Sequence, residues 1–477
     1  MDTKQKAINS SKWVTSSTII STTLQFLQIA IIARLIEPSA FGLVNISTMI
    51  ITFFSTFSNL GFSNSIISMQ EEDPKKLSTI YYTNILLGII IFLLIFLSTP
   101  LLVDYFNEPR LERVIKLASS FFLIVYFGQI FTIILEKELK FKSIGIIDII
   151  GTVFGTLLTI ILAYNGHQEL SLIYGQLISQ IIKTAFQIFF GLKLFKPLVY
   201  FNIKNIKAHI QFGAYNLGDG LLGFIQGNSD NIVIASVLGV KALGYYTIAS
   251  QLAVLPITRL NPIILRVAYP MIAKIKDSVI ELKKSYLQIL DLVTYFNLPL
   301  LAGIFITAPS LVPLVYGLGW EPTIPIIKIL VFVSFLICLG HPLFTLVYSK
   351  GKPKLLFFLN VFTFIVKIPL VYYGGKNYGI TGVAVCYLIS MILNAIANFF
   401  IVKSLIGPFL KTFIYNVFKP ILFCSIMVIV IYCYQIFIGF EGWFNTIIQI
   451  LIGGIIFMLL TLKYKYSLED IKSFKRA

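Results

Sequence analysis

Ala33-Arg-Leu-Ile-Glu-Pro-Ser-Ala-Phe-Gly42 and Ala235-Ser-Val-Leu-Gly-Val-Lys-Ala-Leu-Gly244 lie 202 residues apart and share a pattern. Ala33, Ala40 and Gly42 recur as Ala235, Ala242 and Gly244, and Ile46 recurs as Ile248, without a gap. The same offset pairs Trp13 with Tyr215. Further on, Leu177-Ile178-Ser179 resembles Leu388-Ile389-Ser390 at an offset of 211, so nine residues were gained between the two matches. Chance likeness between apolar helices is the bland alternative. An ungapped match followed by a second one in register weighs against it.

The segments around this repeat are apolar runs of membrane-spanning length. Of 477 residues, 57% are hydrophobic and 12% charged, and mean hydropathy is +0.87. Soluble domains carry about 25% charged residues, so this chain cannot cover itself with a solvated surface. That excludes a soluble enzyme, a nucleic-acid-binding domain and a disordered chain. A membrane helix needs about 20 apolar residues. Fourteen such runs are found, near 13–33, 40–67, 77–100, 111–134, 144–164, 169–192, 210–238, 241–273, 282–309, 323–349, 353–374, 378–404, 413–434 and 443–464. The first has polar Thr and Gln running through it and no small-residue cleavage site, so it reads as mature structure and not a signal peptide.

Six spans separate the two copies, an even number, so both halves have the same orientation: a parallel repeat about an axis normal to the membrane. The expected fold is all-α and polytopic, with two six-helix lobes followed by two further helices. The expected boundaries are 1–200 for the first lobe, 201–410 for the second, and 411–477 for the last two helices and a tail.

A net charge of +17 would suit nucleic acid, but its distribution decides otherwise. With the N-terminus inside and the spans alternating, 26 of the 38 Lys and Arg fall in cytoplasmic segments, six in outer segments and six within spans. This is the positive-inside pattern, in which acidic residues count little. The basicity is topological, with some attraction to anionic lipid headgroups. Both termini are expected in the cytoplasm of a bacterial inner-membrane protein.

The four cysteines (Cys338, Cys386, Cys424, Cys433) fall within spans without a close pair, and His167, His209 and His341 are scattered, so neither metal nor disulfide framework is expected. Gly218-Asp219-Gly220-Leu221-Leu222-Gly223 matches a dinucleotide fingerprint, but that reading needs a preceding strand, and here the glycines sit inside a membrane helix. No Walker motif is present, so no ATP-driven pump and no cofactor are expected.

Polar residues recur at helical spacing on four spans. The second carries Asn45, Thr48, Thr52, Ser55 and Asn59, and the first Thr15, Thr18, Thr22 and Gln25. The sixth carries Gln176, Gln180, Lys183 and Gln187, and the seventh Asn216, Asp219, Gly223, Gln226 and Asp230. Each set forms one stripe. Stripes of amides and charges point to a wet internal cavity; helix-to-helix hydrogen bonding is the other reading. In-span charges must face water or a partner, and here they are Asp148, Lys183, Asp219, Asp230, Arg259, Arg266, Asp291, Lys328, Lys367 and Lys419. Arg259 and Arg266 lie seven apart on one helix face, about 10 Å along the axis, among Pro256, Pro262 and Pro270. Two guanidinium forks on a cavity wall suit a diphosphate or anionic sugar; pairing with Asp219 or Asp230 for assembly is the alternative. Asp219 and Asp230 share a face and are candidates for coupling transport to protons.

Asn261-Pro-Ile-Ile-Leu-Arg-Val-Ala-Tyr-Pro270, Leu35-x-x-Pro38-x-x-Phe41-Gly42 and Asp230-Asn-Ile-Val-Ile234 resemble the Wzx-type polysaccharide flippases, in the superfamily that also holds the multidrug and toxin extruders. The branch most alike is that of colanic-acid and teichuronic-acid exporters. The resemblance covers the whole chain, and its motifs are diffuse. It implies transport of undecaprenyl-diphosphate-linked oligosaccharide from inner to outer leaflet by alternating access of two lobes, with membrane lipids and a polysaccharide polymerase as partners and no enzymatic activity. Lys183, Asn45, Asn59, Gln180 and Asn216 would then line the cavity with Arg259 and Arg266. Two other classes compete. A drug or cation antiporter would carry a cavity dominated by acids, whereas the in-span set has six basic residues against four acidic. A membrane-embedded polymerase would need a larger outer loop than the one near 101–110.

Overall fold

The computed structural model describes residues 3–58, 62–275 and 277–465, and every regular element among them is helical. The helices are α1 (Thr3–Ile32), α2 (Pro38–Ser58), α3 (Phe62–Ser68), α4 (Pro74–Phe106), α5 (Leu111–Lys137), α6 (Phe141–Tyr164) and α7 (Gln168–Gly191). After a short 3₁₀ turn at Ile203–Ile206 come α8 (Lys207–Leu238), α9 (Val240–Lys274), α10 (Val279–Tyr316), α11 (Thr323–Ser349), α12 (Lys354–Ile406), α13 (Leu410–Phe437) and α14 (Trp443–Lys465).

Local chemistry sets several of these boundaries. Asp73 caps α4: its carboxylate accepts from the Lys75 N–H at 2.9 Å, and Pro74 occupies the first turn, where no N–H is needed. Ser278 caps α10 in the same manner, accepting from the Glu281 N–H. The apolar run at 40–67 carries α2 and α3, the latter about two turns long.

Among the described residues, ten helices are long and apolar enough to cross a membrane. One of them, α12, has 53 residues, about 80 Å of helix, against a hydrocarbon core of about 30 Å. It is broken at Gly379, whose φ of 62° and ψ of −153° reverse the chain. The two arms then meet so closely that a Cβ on Gly374 or on Gly382 would overlap the backbone of the other. Helices α7, α8 and α9, with 24, 32 and 35 residues, are long enough to cross, but their polar stripes lower the hydropathy. Counted with the two arms of α12, these helices are consistent with fourteen crossings. Large apolar side chains such as Leu97, Leu101, Phe400 and Met458 stand exposed on the outer faces of their helices, as lipid-facing residues do.

The chain forms two compact units, 1–244 and 245–477. In the first, α6 packs along α7 and α1, α5 along α4 and α7, and α2 against α8. Phe62, Ile66, Ile80, Ile130, Phe131, Ile134 and Phe195 make its buried core beside α3. In the second, α10 packs along α11 and α13, and α11 along α12. A core of Ile272, Leu282, Tyr286, Leu346, Val402 and Phe409 joins their ends. The helix pair α13–α14 attaches to α10 through Phe423, Met427, Ile431 and Phe457.

One contact in the first unit displays the sequence repeat as geometry. Where α2 and α9 begin, a Cβ on Gly42 would overlap the carbonyl oxygen of Val240, and a Cβ on Gly244 would overlap that of Pro38. Pro38 and Val240 are themselves related by the 202-residue offset. Each glycine thus meets the first carbonyl of the other helix. Only a residue without a Cβ permits this approach.

Candidate functional site

The polar stripes separate into two kinds once placed. On α2, Thr48 and Thr52 are exposed and Asn45 half-buried, while Phe41, Leu43, Val44, Ile46 and Met49 are buried against neighbours. On α1, Thr15, Thr18 and Gln25 are exposed and Thr22 half-buried. On α8, Gly223 and Gly227 are exposed beside a half-buried Gln226. Phe224 of α8 lies with its ring centroid 5.2 Å from that of Phe53, so α2 and α8 are in contact beside these positions. These surfaces suit a water-filled wall.

The stripe on α7 does a different job. Lys183 pairs with Asp148 of α6 at 3.3 Å, its stem lying over Gly151. Gln180 donates to the Thr184 hydroxyl at 3.2 Å, and that hydroxyl donates to the Ile124 carbonyl of α5. Gln187 packs against Gly128 of α5. Of the sequence-predicted site residues, Lys183 thus ties α7 to α6, while Gln180 bonds within α7 to Thr184, which makes the tie to α5. The in-span lysines of the second unit are likewise engaged. Lys328 lies over Phe305 at 5.7 Å, Lys419 over Tyr415 at 4.5 Å, and Lys367, 3% exposed, over Tyr387 at 4.0 Å.

Asp230 is buried on α8, 5% exposed, and is engaged in a further interaction. Asn59 lies outside the described residues, as do the side chains of Asn216, Asp219, Arg259 and Arg266. The helical backbone is described at the last four positions and places them on α8 and α9.

Two polar clusters have no counterpart among the sequence-predicted residues. One lies in the second unit, where Asn261 Nδ2 meets His341 Nδ1 at 2.6 Å and Asn297 Nδ2 donates to Asn261 Oδ1 at 2.8 Å. It joins α9, α10 and α11.

The other cluster gathers at the loop before α4. Glu71 accepts from the Lys76 ammonium at 2.8 Å, and the Asp73 N–H donates to it at 3.0 Å. His209, at the start of α8, bridges Glu71 Oε2 at 3.4 Å and Ser65 Oγ of α3 at 2.9 Å. Lys137, at the end of α5, donates to the Glu71 carbonyl at 2.8 Å. Burial opposes the Glu71 charge, but Lys76, the Asp73 N–H and His209 outweigh it and hold the carboxyl down to about 2, against an ordinary 4.5. A depressed carboxyl contributes stability that is complete above about 4.5 and is lost as pH falls toward 2. Glu71→Gln should therefore lower the unfolding midpoint of the detergent-solubilised protein at pH 7. The gap to wild type should narrow as pH falls from about 4.5 toward 2. A gap that persists undiminished at the acid end would remove the ionised carboxylate from this account.

Similarity to known proteins fits this arrangement. Residues 31–325 match the family model described as polysaccharide biosynthesis protein. The lipopolysaccharide biosynthesis protein WzxC of Escherichia coli (strain K12) is 32% identical over 421 residues, covering 88% of this chain and 86% of that protein. The teichuronic acid biosynthesis protein TuaB of Bacillus subtilis (strain 168) is 25% identical over 428 residues, covering 90% and 88%. Among solved structures, the lipid II flippase MurJ in an inward closed conformation superposes with a TM-score of 0.78 at 18% identity, covering 94% of this chain and 98% of that one. A likeness at that identity is one of fold.

Proposed function

The chain belongs to the polysaccharide biosynthesis protein family, and from that premise we propose that it is a flippase, moving lipid-linked oligosaccharides across the membrane for surface polysaccharide assembly. What carries this reading is the 32% identity over 88% of the chain to a lipopolysaccharide biosynthesis protein. The fold shared with a lipid II flippase and the exposed polar stripes on α1, α2 and α8 support it. The cargo has a long apolar tail and a hydrophilic head, so its head needs a wet route while the tail stays in lipid. Threonine and amide stripes on helices that are otherwise apolar supply such a wall.

The cargo's diphosphate is assigned to Arg259 and Arg266 on α9, with Asn45, Asn59 and Asn216 toward the sugars. Lys183 and Gln180 hold α7 in place through Asp148 and Thr184, at the edge of that wall. The lobes 1–200 and 201–410 are the bodies that alternate, and Asp219 and Asp230 are the carboxylates tested for proton coupling by Asp→Asn replacement. Gradient-sensitive transport at the full rate by both Asn variants would remove that role. Deletion of the gene should make the lipid-linked repeat unit accumulate on the cytoplasmic leaflet; unchanged levels with normal polymer would overturn the flippase reading.

The positive-inside charge distribution supports a topology with both termini in the cytoplasm and the beginnings of α2 and α9 at the outer surface. In a chain freed of its native cysteines, single cysteines at Glu37, Lys241 and Glu441 should react with an impermeant thiol reagent added to intact cells. Those at Lys75, Lys204 and Lys352 should resist it. The reverse pattern would invert the topology.

A further inference from the structure

Asn261, Asn297 and His341 form a hydrogen-bonded chain whose direction is fixed at one end. Asn297 Nδ2 donates to the Val293 carbonyl at 2.9 Å, four residues back on α10, so its amide nitrogen must face that side. The same nitrogen donates to Asn261 at 2.8 Å, which obliges Asn261 to turn its Oδ1 toward α10. Its Nδ2 then points at α11 and meets His341 Nδ1 at 2.6 Å. An amide nitrogen can only donate. His341 Nδ1 is therefore an acceptor here, with any ring proton on Nε2. Asn261 and Asn297 are fully buried, so no water competes for these atoms.

We infer that His341 is a proton-binding switch for α9. A proton on Nδ1 sets one N–H against another and breaks the bond between α9 and α11. Turning the Asn261 amide to offer its oxygen to the imidazolium repairs that bond but sets its nitrogen against Asn297, and the bond between α9 and α10 is lost instead. Either way, one of the two braces goes. The braced residue directly precedes Pro262, and proline leaves the carbonyl one turn back, at Thr258, without its intrahelical donor. The proton thus acts where the helix bends most easily, between the positions of Arg259 and Arg266. His341 likewise precedes Pro342 within α11.

Charged and titratable groups on the helices packed here include Arg259, Arg266 and Tyr269 on α9, Asp291 and Tyr295 on α10, Cys338 and Tyr348 on α11, and Lys367 with Tyr387 on α12. Cys338 lies 3.8 Å from the same Val293 carbonyl that fixes Asn297. Lys367 is held on the Tyr387 ring. His341 is the group whose hydrogen bond reverses sense on protonation, because Nδ1 then changes from acceptor to donor.

The switch reading rests on the flippase reading for its consequence but not for its chemistry, and the experiment separates the two. In ¹⁵N-histidine and ¹⁵N-asparagine spectra of the full-length protein in nanodiscs, His341 should show the Nε2–H tautomer at pH 8. The Asn261 side-chain amide should shift with the same midpoint as His341 when pH is lowered. An Nδ1–H tautomer, or an Asn261 amide indifferent to that titration, would overturn the switch. In vesicles at equal pH on both sides, transport of lipid-linked oligosaccharide extracted from a deletion strain should change at least fivefold between pH 7.5 and 5.5. His341→Asn keeps an acceptor near the Nδ1 position and cannot titrate, so its rate should change less than twofold. A profile for His341→Asn that parallels wild type would also overturn the switch. Absence of transport by wild type at every pH would instead overturn the flippase reading, leaving the spectra to decide the switch.

Discussion

Polymer export should fall about fivefold or more when Gly42 or Gly244 is replaced by alanine, at matched abundance in the membrane. The added Cβ meets a backbone carbonyl in each case, Val240 for Gly42 and Pro38 for Gly244, and no rotamer change can relieve it. Overpacking of this kind costs about 1–3 kcal/mol, and each 1.4 kcal/mol is a factor of about ten in a population. The cost falls on the conformation in which α2 and α9 begin in contact, so the variants deplete that state and the cycle stalls. Both methyl groups enter the same crossing, so the double variant should be less impaired than the product of the two single effects. Gly303→Ala, on α10, is the control, because a Cβ there meets nothing within 4 Å. Export by Gly42→Ala and Gly244→Ala equal to that of Gly303→Ala would show that the crossing is not part of the cycle.

Loss of either α9 guanidinium should be as severe. Arg259→Ala and Arg266→Ala are expected to leave normal amounts of membrane protein and to block export. Arg→Lys at either position should impair it by about tenfold or more, because the ammonium keeps the charge but loses the bidentate fork that matches a diphosphate. In the proposed topology Arg266 lies about 10 Å from the cytoplasmic end of α9 and Arg259 about 20 Å from it, at 1.5 Å per residue. A headgroup entering from the inner leaflet would meet them in that order. If the arginines serve assembly instead, Arg259→Ala would lower abundance and removal of a partner aspartate would restore it. Normal export by both alanine variants at matched expression would end the assignment.

The fold was legible because its determinants are local or repeated. Span lengths follow from hydropathy, and the repeat from a few residues, of which Gly42 and Gly244 are held in place by the closest backbone approach. The polar stripes show where sequence reasoning stops. Periodicity places Gln180 and Lys183 on one face of α7 but does not say what lies opposite. That was decided by Asp148 and Gly151 on α6 and by the Ile124 carbonyl on α5. The network of Asn261, Asn297 and His341 joins residues 36 and 80 positions apart. A local signal was nevertheless present, because Asn261-Pro262 and His341-Pro342 each put a hydrogen-bonding side chain directly before a proline inside a helix. The contact between His209 and Glu71 spans 138 positions and left no such mark.

The central claim is that this chain alone moves a lipid-linked oligosaccharide across a bilayer. The purified protein should be reconstituted into vesicles loaded with the lipid-linked repeat unit from a deletion strain, and an impermeant sugar-oxidising reagent added outside. With protein present, nearly all of the sugar should become reactive over time. With Arg259→Ala, or without protein, only the fraction that faced outward at the start should react. An equal, static fraction in all three preparations would contradict the account.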